Sequence, residues 1–336
     1  LQNELLTIQH LTTSFKIEDH YYAAVDEVSL SVKPNEVVAI VGESGSGKSA
    51  LAFSIMGLHA RAKSEGSIAF EGYNLNSLGP NELNKLRGKH IGMIFQDPLS
   101  ALNPLMTVGD QIQEALILHQ PNMSKKERKR KVIELLNSVG ILQPDVIASS
   151  YPHELSGGMR QRIVISIAIA NEPKLLIADE PTTALDATIQ LQILDLIRKL
   201  KDDIGAGIIL ITHDIGVVAE MADRVAVMYG GQIVEIADIH TLLSDPRHPY
   251  TRSLLRSIPS ADTPKTKLYS IQGVVPSLKH LPRQGCRFRF RIPWIGESSH
   301  EENPQMHELS PGHFVRCTCY QNFWFPGEED IQNGAS

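Results

Sequence analysis

One run constrains this chain more than any other: Gly42-Glu43-Ser44-Gly45-Ser46-Gly47-Lys48-Ser49. It fits G-x-x-x-x-G-K-[ST], the phosphate-binding P-loop. Its surroundings fit too. Glu36 to Val41 reads as a short, buried, β-branched strand, and Ala50 to Met56 follows with helix formers and an apolar face. Strand, glycine loop and helix in that order aim backbone N–H groups and a helix N-terminus at an anion. Gly42, Gly45 and Gly47 let the backbone curl without Cβ clashes. Lys48 is spaced to reach β- and γ-phosphates, and the Ser49 hydroxyl to ligate Mg²⁺. A chance glycine-rich turn supplies neither group in register behind a strand.

The rest of the pattern is α/β. Leu5 to Phe15, Ala24 to Val32, Gly66 to Phe70 and Ile91 to Phe95 read as strands. Met106 to His119 and Lys125 to Val139 have helical spacing. The basic run Lys125 to Lys131 lies in an amphipathic helix, which favours a solvated face over a phosphate patch. Further on, helices Met159 to Ala170, Ala187 to Ile204 and Ile215 to Ala222 alternate with strands Leu175 to Ala178, Gly207 to Thr212, Val225 to Met228 and Gln232 to Ile236. That alternation predicts a layered fold on a largely parallel sheet. After Asp238 the pattern weakens, proline rises, and the remainder reads as an appendage of loops.

Composition narrows the function classes. A chain of 336 residues, 42% apolar and 21% charged, is an ordinary globular composition with room for about two domains. A net charge of −6 argues against a dedicated nucleic-acid binder. Three cysteines suggest a reducing compartment rather than a disulfide scaffold. No apolar run approaches the ~18 residues needed to span a bilayer. The first ten residues, LQNELLTIQH, lack the basic and apolar regions of a signal peptide. A role at a membrane would need another subunit to hold the chain there.

Two further motifs turn a phosphate site into a candidate catalyst. Leu175-Leu176-Ile177-Ala178-Asp179-Glu180 is an apolar strand ending in two carboxylates, at the edge where a parallel sheet presents its ligands. Asp179 suits Mg²⁺, and Glu180 suits a base or water-polarising group beside the γ-phosphate. Leu155-Ser156-Gly157-Gly158-Met159-Arg160-Gln161 opens a second glycine-rich helix start. With that run the chain resembles the ABC-type ATPases, since LSGG is similar to their signature motif. Gln96 in Phe95-Gln96-Asp97-Pro98 is similar to the Q-loop, Ala184-Leu185-Asp186 to the D-loop, and His213 in Thr212-His213-Asp214 to the switch histidine. The resemblance spans residues 5 to about 258.

The resemblance implies a P-loop NTPase (RecA-like) core with an N-terminal antiparallel β subdomain, an α-helical signature subdomain at about 90–160, and a loop-rich C-terminal appendage. On that basis residues 1–238 form the nucleotide-binding domain and 239–336 the appendage. It implies two such domains packed head to tail. Ser156, Gly157 and Gly158 of one would then close on ATP held by the P-loop of the other, with Asp186 at the interface. Gln96 would join Ser49 and Asp179 at Mg²⁺, and His213 would contact the γ-phosphate. An aromatic near the start would stack on adenine: Phe15, with Tyr21 and Tyr22 as alternatives. Residues 97–104 would receive a helix from a membrane subunit.

The appendage carries a narrower resemblance. His248-Pro249-Tyr250-Thr251-Arg252-Ser253-Leu254-Leu255, then Ile258-Pro259, resembles the post-core segment of dipeptide and oligopeptide import ATPases, and nickel importers share parts of it. Gly285-Cys286-Arg287-Phe288 and Gly312-His313-Phe314-Val315-Arg316-Cys317 extend the match. In many relatives four cysteines here hold a four-iron, four-sulfur cluster. Two of those positions are Ile292 and Ser299 in this chain, and an isoleucine cannot ligate. Cys319 lies nearby, but alternation along an extended run would turn it away from Cys317, and His300 reads as a surface histidine. An intact iron–sulfur cluster is therefore not expected. Phe288, Phe290, Trp294, Phe314, Tyr320, Phe323 and Trp324 are expected to supply an apolar mini-core instead. Pro326 to Ser336, with Glu328-Glu329-Asp330, reads as a mobile acidic end.

Taken whole, the resemblance implies a peripheral ATP-hydrolysing subunit at the cytoplasmic face of the cell membrane, powering peptide import. Its partners would be two transmembrane permease subunits, a second ATPase subunit and an extracellular solute-binding protein, without nucleic acid. Import of nickel or another small solute is the alternative, and a soluble non-transport ABC ATPase the more distant one.

Overall fold

Burial on both faces of one parallel sheet sets the architecture. The computed structural model describes residues 4–59, 61–183, 185–258 and 269–326. Its strands are β1 (Leu6–Ile17), β2 (His20–Val32), β3 (Val37–Val41), β4 (Ala62–Phe70), β5 (Tyr73–Asn74), β6 (Ile91–Ile94), β7 (Leu175–Asp179), β8 (Gly207–Thr212), β9 (Arg224–Tyr229), β10 (Gln232–Asp238), β11 (Met306–Ser310) and β12 (His313–Arg316). The large sheet runs β11-β12-β10-β9-β3-β8-β7-β6. Strands β9, β3, β8, β7 and β6 are parallel, while β10, β12 and β11 are antiparallel additions. A second, antiparallel sheet has the order β2-β1-β4-β5.

The strand period of two sorts the core. In β8, Ile209 and Ile211 pack toward the antiparallel sheet, while Ile208 and Leu210 pack toward the helices. In β7, Leu175 and Ile177 take the first side, Leu176 and Ala178 the second. Both faces are therefore covered, and the strands read as continuous apolar runs, as parallel strands do. The helical layer between β6 and β7 comprises Val108–His119, Lys125–Ser138, Pro144–Ala148 and Gly157–Ile169. Ser124 and Glu127 form a capping box at the second of these, which buries Val132, Leu135 and Leu136. Its basic run lies on the outer face, as expected.

The appendage corrects three expectations. First, it adds β11 and β12 to the edge of the large sheet through β10. Secondly, its core holds Phe288, Trp294, Phe323 and Trp324 as expected but is completed by other residues. Tyr250 and Phe288 are buried against Tyr229 of β9, with ring centroids 4.7–5.3 Å apart. Each such ring contributes roughly 1.5–3 kcal/mol by burial. Phe290, by contrast, is 62% exposed, and Phe314 packs on the opposite core, toward the antiparallel sheet. Thirdly, Cys317 and Cys319 do not point apart. Cys317 takes φ of +69°, and Cys319 opens the short 3₁₀ turn Cys319–Asn322, so the extended alternation ends at Arg316. The two thiols converge with Cys286 and with His300, whose ring nitrogens are buried rather than at the surface. Ala184, Pro259 and Glu328-Glu329-Asp330 lie outside the described residues.

The hinge from core to appendage is a buried carboxylate. Glu235 of β10 accepts from the backbone N–H of Arg247 (2.8 Å) and His248 (2.9 Å), and pairs with His313 Nε2 (2.8 Å). His248 then caps the helix Pro249–Arg256, its Nδ1 accepting from the N–H of Tyr250. Burial of that imidazole lowers its pKa from 6.5 to about 4. The unfolded chain thus binds a proton below pH 6.5 that the folded chain refuses until about pH 4, so stability falls as pH falls through this window. Asn keeps the cap but not the titration. The pH 7 minus pH 5 difference in urea-unfolding free energy should be about 2 kcal/mol smaller in His248→Asn than in the wild type. Equal differences would dismiss His248 as the titrating group.

Candidate active site

β3 is short and buried, and it delivers the chain into the glycine loop at the carboxyl edge of the sheet. Two glycines there are sterically required. A Cβ on Gly42 would lie 2.2 Å from the Met228 carbonyl oxygen, and one on Gly47 (φ +104°) would lie 2.5 Å from that of Ala24. Gly45 (φ +80°) has open space and is needed only for its backbone angle. Lys48 is buried, with Nζ donating to the carbonyls of Gly42 (2.7 Å) and Glu43 (3.0 Å). Burial lowers its pKa, against the opposing pull of Glu180, Asp179 and Glu43.

The end of β7 supplies the acids. Asp179 is buried and accepts from Ser49 Oγ at 3.1 Å, which brings together the two residues predicted for Mg²⁺. Desolvation raises its pKa, and the Ser49 hydrogen bond opposes the rise. Glu180 comes next, in a left-handed conformation (φ +46°), with its N–H on the Ile211 carbonyl of β8. A non-glycine residue held there stores strain and is over-determined by its neighbours. Those neighbours are Gln96 Nε2 (3.0 Å) and Thr183 Oγ1 (2.8 Å) on one carboxylate oxygen, and His213 Nδ1 (3.4 Å) on the other. Gln96 and His213 thus meet at Glu180. Thr183 joins them without having been signalled, because a threonine three residues past a carboxylate has no distinctive pattern.

A cavity of about 440 Å³ lies between the P-loop, Gln96 and Glu180 on one side and the appendage on the other. Val275, Pro276, Ser277, Leu278 and Leu281 form its far wall, beside Ala24, Gly230 and Gly231. This contribution from the appendage is absent from the sequence pattern. Three side chains hold the appendage to the core, two of them at the loop. The Tyr250 hydroxyl accepts from the N–H of Glu43 (2.8 Å). Arg291 grips the Glu43 carboxylate with two nitrogens (2.6 and 3.2 Å). Arg287 pairs with Asp26 and donates to the carbonyl of Gly230. Phe15 does not join the cavity; it packs edge-on against His59, centroids 4.8 Å apart. Neither Tyr21 nor Tyr22 lines it.

The signature residues stand elsewhere. Ser156 caps Gly157–Ile169, accepting from the N–H of Met159, and Ser156 and Gly157 are exposed. Gly158 approaches Ile189, and Asp186 caps Ala187–Ile204. None of the four lines the cavity beside the P-loop. Two anion-ready helix starts on one chain, only one of them facing its own cavity, leave the second available to another molecule.

Comparison with known proteins agrees with this geometry. Residues 25–183 match the ABC transporter family, and residues 234–294 match the oligopeptide/dipeptide transporter C-terminal region. The oligopeptide transport ATP-binding protein OppD of Lactococcus lactis subsp. cremoris is 48% identical over 97% of both chains. The dipeptide transport ATP-binding protein DppD of Escherichia coli is 46% identical over 93% of this chain and 96% of its own. Among solved structures, the ATP-binding cassette MJ0796, a dimer in a post-hydrolysis state with ADP and phosphate, superposes with a TM-score of 0.64. It is 32% identical and covers 70% of this chain and 98% of its own. The chain belongs to the ABC-transporter ATP-binding family: it is an ATPase, and binding of ATP and Mg²⁺ goes with that family. Within it, the chain falls beside the oligopeptide and dipeptide transport ATP-binding proteins, whose C-terminal region it shares.

The two glycine requirements separate in a binding assay. Gly45→Ala has room and pays only for its backbone angle, about 1–2 kcal/mol, so nucleotide affinity should fall by no more than ~30-fold. Gly42→Ala must displace β9 backbone, and nucleotide binding should fall below detection by calorimetry. Equal affinities in the two variants would contradict the packing described.

Proposed function

We propose that this chain is the ATP-hydrolysing subunit of a bacterial-type peptide importer. One observation carries the reading: near full-length likeness to oligopeptide and dipeptide transport ATP-binding proteins, in a chain whose P-loop and Glu180 line one cavity, with Asp179 buried behind it and bonded to Ser49. Residues 1–238 act as the nucleotide-binding domain and 239–336 as an importer-type appendage. The P-loop amides of residues 42–49 and Lys48 hold the phosphates, with Ser49, Asp179 and Gln96 as the Mg²⁺ partners. When bound, Mg²⁺ neutralises charge on the phosphates. Glu180 accepts a proton from the attacking water, oriented by Gln96, Thr183 and His213. Beyond the P-loop, the cavity wall is Ala24 with Val275, Pro276, Ser277, Leu278 and Leu281.

The exposed Ser156-Gly157-Gly158 turn and Asp186 meet a second ATPase chain, closing on the nucleotide held there. A dimer of the related cassette MJ0796 supports that arrangement. Among the described residues no helix is long and apolar enough to cross a membrane, so attachment comes through two permease subunits at the cytoplasmic face. The segment after Gln96 suits that docking: Leu99 is 60% and Leu105 85% exposed. An extracellular solute-binding protein would deliver the peptide.

Glu180→Gln keeps shape and removes the base. Turnover should fall at least ~10²-fold while ATP binding persists, and the ATP-bound dimer should accumulate on size exclusion. Normal hydrolysis by Glu180→Gln within the assembled complex would exclude the assigned role.

Lys48→Ala and Ser156→Arg should differ in kind. The first abolishes nucleotide binding by its own chain; the second preserves it and blocks dimer closure. Loss of binding in both would contradict closure between two chains. For the transport reading, cells lacking this chain should take up labelled oligopeptide only when wild-type protein is restored, and permease subunits should co-purify from their membranes. Unchanged peptide uptake without the chain would refute it.

A further inference from the structure

All three cysteines of the chain meet His300 in one place. Sγ of Cys286, Cys317 and Cys319 and one ring nitrogen of His300 lie within 4.8 Å of one another. The thiols are free and buried. Both ring nitrogens of His300 are buried without a hydrogen-bond partner. Buried polar atoms are nearly always partnered, so an imidazole left open beside three thiols points to a ligand between them. The Glu301 N–H donates to Cys317 Sγ at 3.5 Å, the outer-shell bond that supports a metal-bound thiolate.

The four-iron cluster of the resembling importers does not fit these residues. Of its four ligand positions, Ile292 is buried in the apolar core and Ser299 accepts from the Asn322 amide. The spacing disagrees as well. A cube carries its ligand atoms on separate iron corners, roughly 6 Å apart, beyond the 4.8 Å that contains all four atoms here. A single tetrahedral ion with metal–sulfur bonds of about 2.3 Å holds its ligand atoms about 3.8 Å apart, within that span.

We propose that Cys286, His300, Cys317 and Cys319 form a closed structural site for one Zn²⁺ ion. Three soft thiolates and one neutral imidazole are a zinc donor set, and four protein ligands leave no open position for catalysis. On binding, each thiol releases its proton to solvent as its sulfur takes up the metal. The ligands come from the loop before the 3₁₀ turn Arg289–Arg291, the end of the turn Glu297–Ser299, the end of β12, and the start of Cys319–Asn322. One ion thereby ties together four segments that share little regular hydrogen bonding. The left-handed Cys317 has a physical reason in this arrangement: it turns two cysteines separated by one residue to the same side.

The test uses the full chain, purified without a polyhistidine tag or chelator. Elemental analysis should find about one zinc per chain, iron below ~0.1 per chain and no acid-labile sulfide. Cells grown on Co²⁺ should yield protein with thiolate-to-cobalt absorption near ~340 nm and strong tetrahedral bands at ~600–750 nm. His300→Ala and Cys319→Ser should each lower zinc at least ~5-fold, while His300→Cys, which supplies a fourth thiolate, should keep about one. If His300→Ala fails to fold, His300→Cys and the wild-type spectrum still decide. Iron and sulfide in cluster ratio would overturn the proposal. So would a metal-free wild type, a disulfide among the three cysteines, or zinc undiminished in both His300→Ala and Cys319→Ser.

Discussion

Everything chemical in this protein depends on a parallel sheet buried on both faces. Because β3, β7 and β8 run the same way and are sealed by the antiparallel sheet on one side and helices on the other, their carboxyl ends emerge at one edge. The P-loop, the Asp179–Glu180 pair and His213 are the continuations of those three strands. Their mutual distances are set first by a strand spacing of about 4.8 Å, and the contacts Ser49–Asp179 and Gln96–Glu180 between the loops then fix the side chains. Packing in the core, far from the P-loop, therefore sets the geometry at the P-loop and the acids beside it.

Electrostatics then differentiates two adjacent acids. Asp179 ends its strand inside the core, where desolvation raises its pKa and Ser49 offers the compensating hydroxyl. Glu180 turns out of the strand through a left-handed residue and meets polar groups from three separate elements. One backbone angle thus separates a buried, metal-suited carboxylate from one that faces the cavity. The strain at Glu180 is tolerated because its N–H remains paired with β8.

The appendage is less separate than its composition suggests. It extends the main sheet, forms one wall of the cavity, and holds the P-loop through Tyr250 and Arg291. Glu235 anchors it from inside β10. Loosening this region would reach the P-loop directly through Glu43, without a change at Asp179 or Glu180. Such coupling has a stated physical path: a bidentate Arg–carboxylate pair and one backbone hydrogen bond.

The sequence by itself determined the P-loop, the acids at the end of β7, the order of helices and strands, and the kinship of the tail. Each of these is written locally, in a glycine spacing, a run of β-branched residues or an apolar period, so the chain carries it without reference to distant partners. Only the tertiary structure decided which distant groups meet. Arg291 finds Glu43 across 248 positions, Gln96 finds Glu180 across 84, and three cysteines find His300 because Cys317 leaves the extended conformation. Phe15 was legible as an aromatic but not as one turned toward His59. Such meetings depend on strand order and on a few backbone angles at loop ends, and neither leaves a period in the sequence, because side chains that close a long loop need complementary chemistry but no fixed separation.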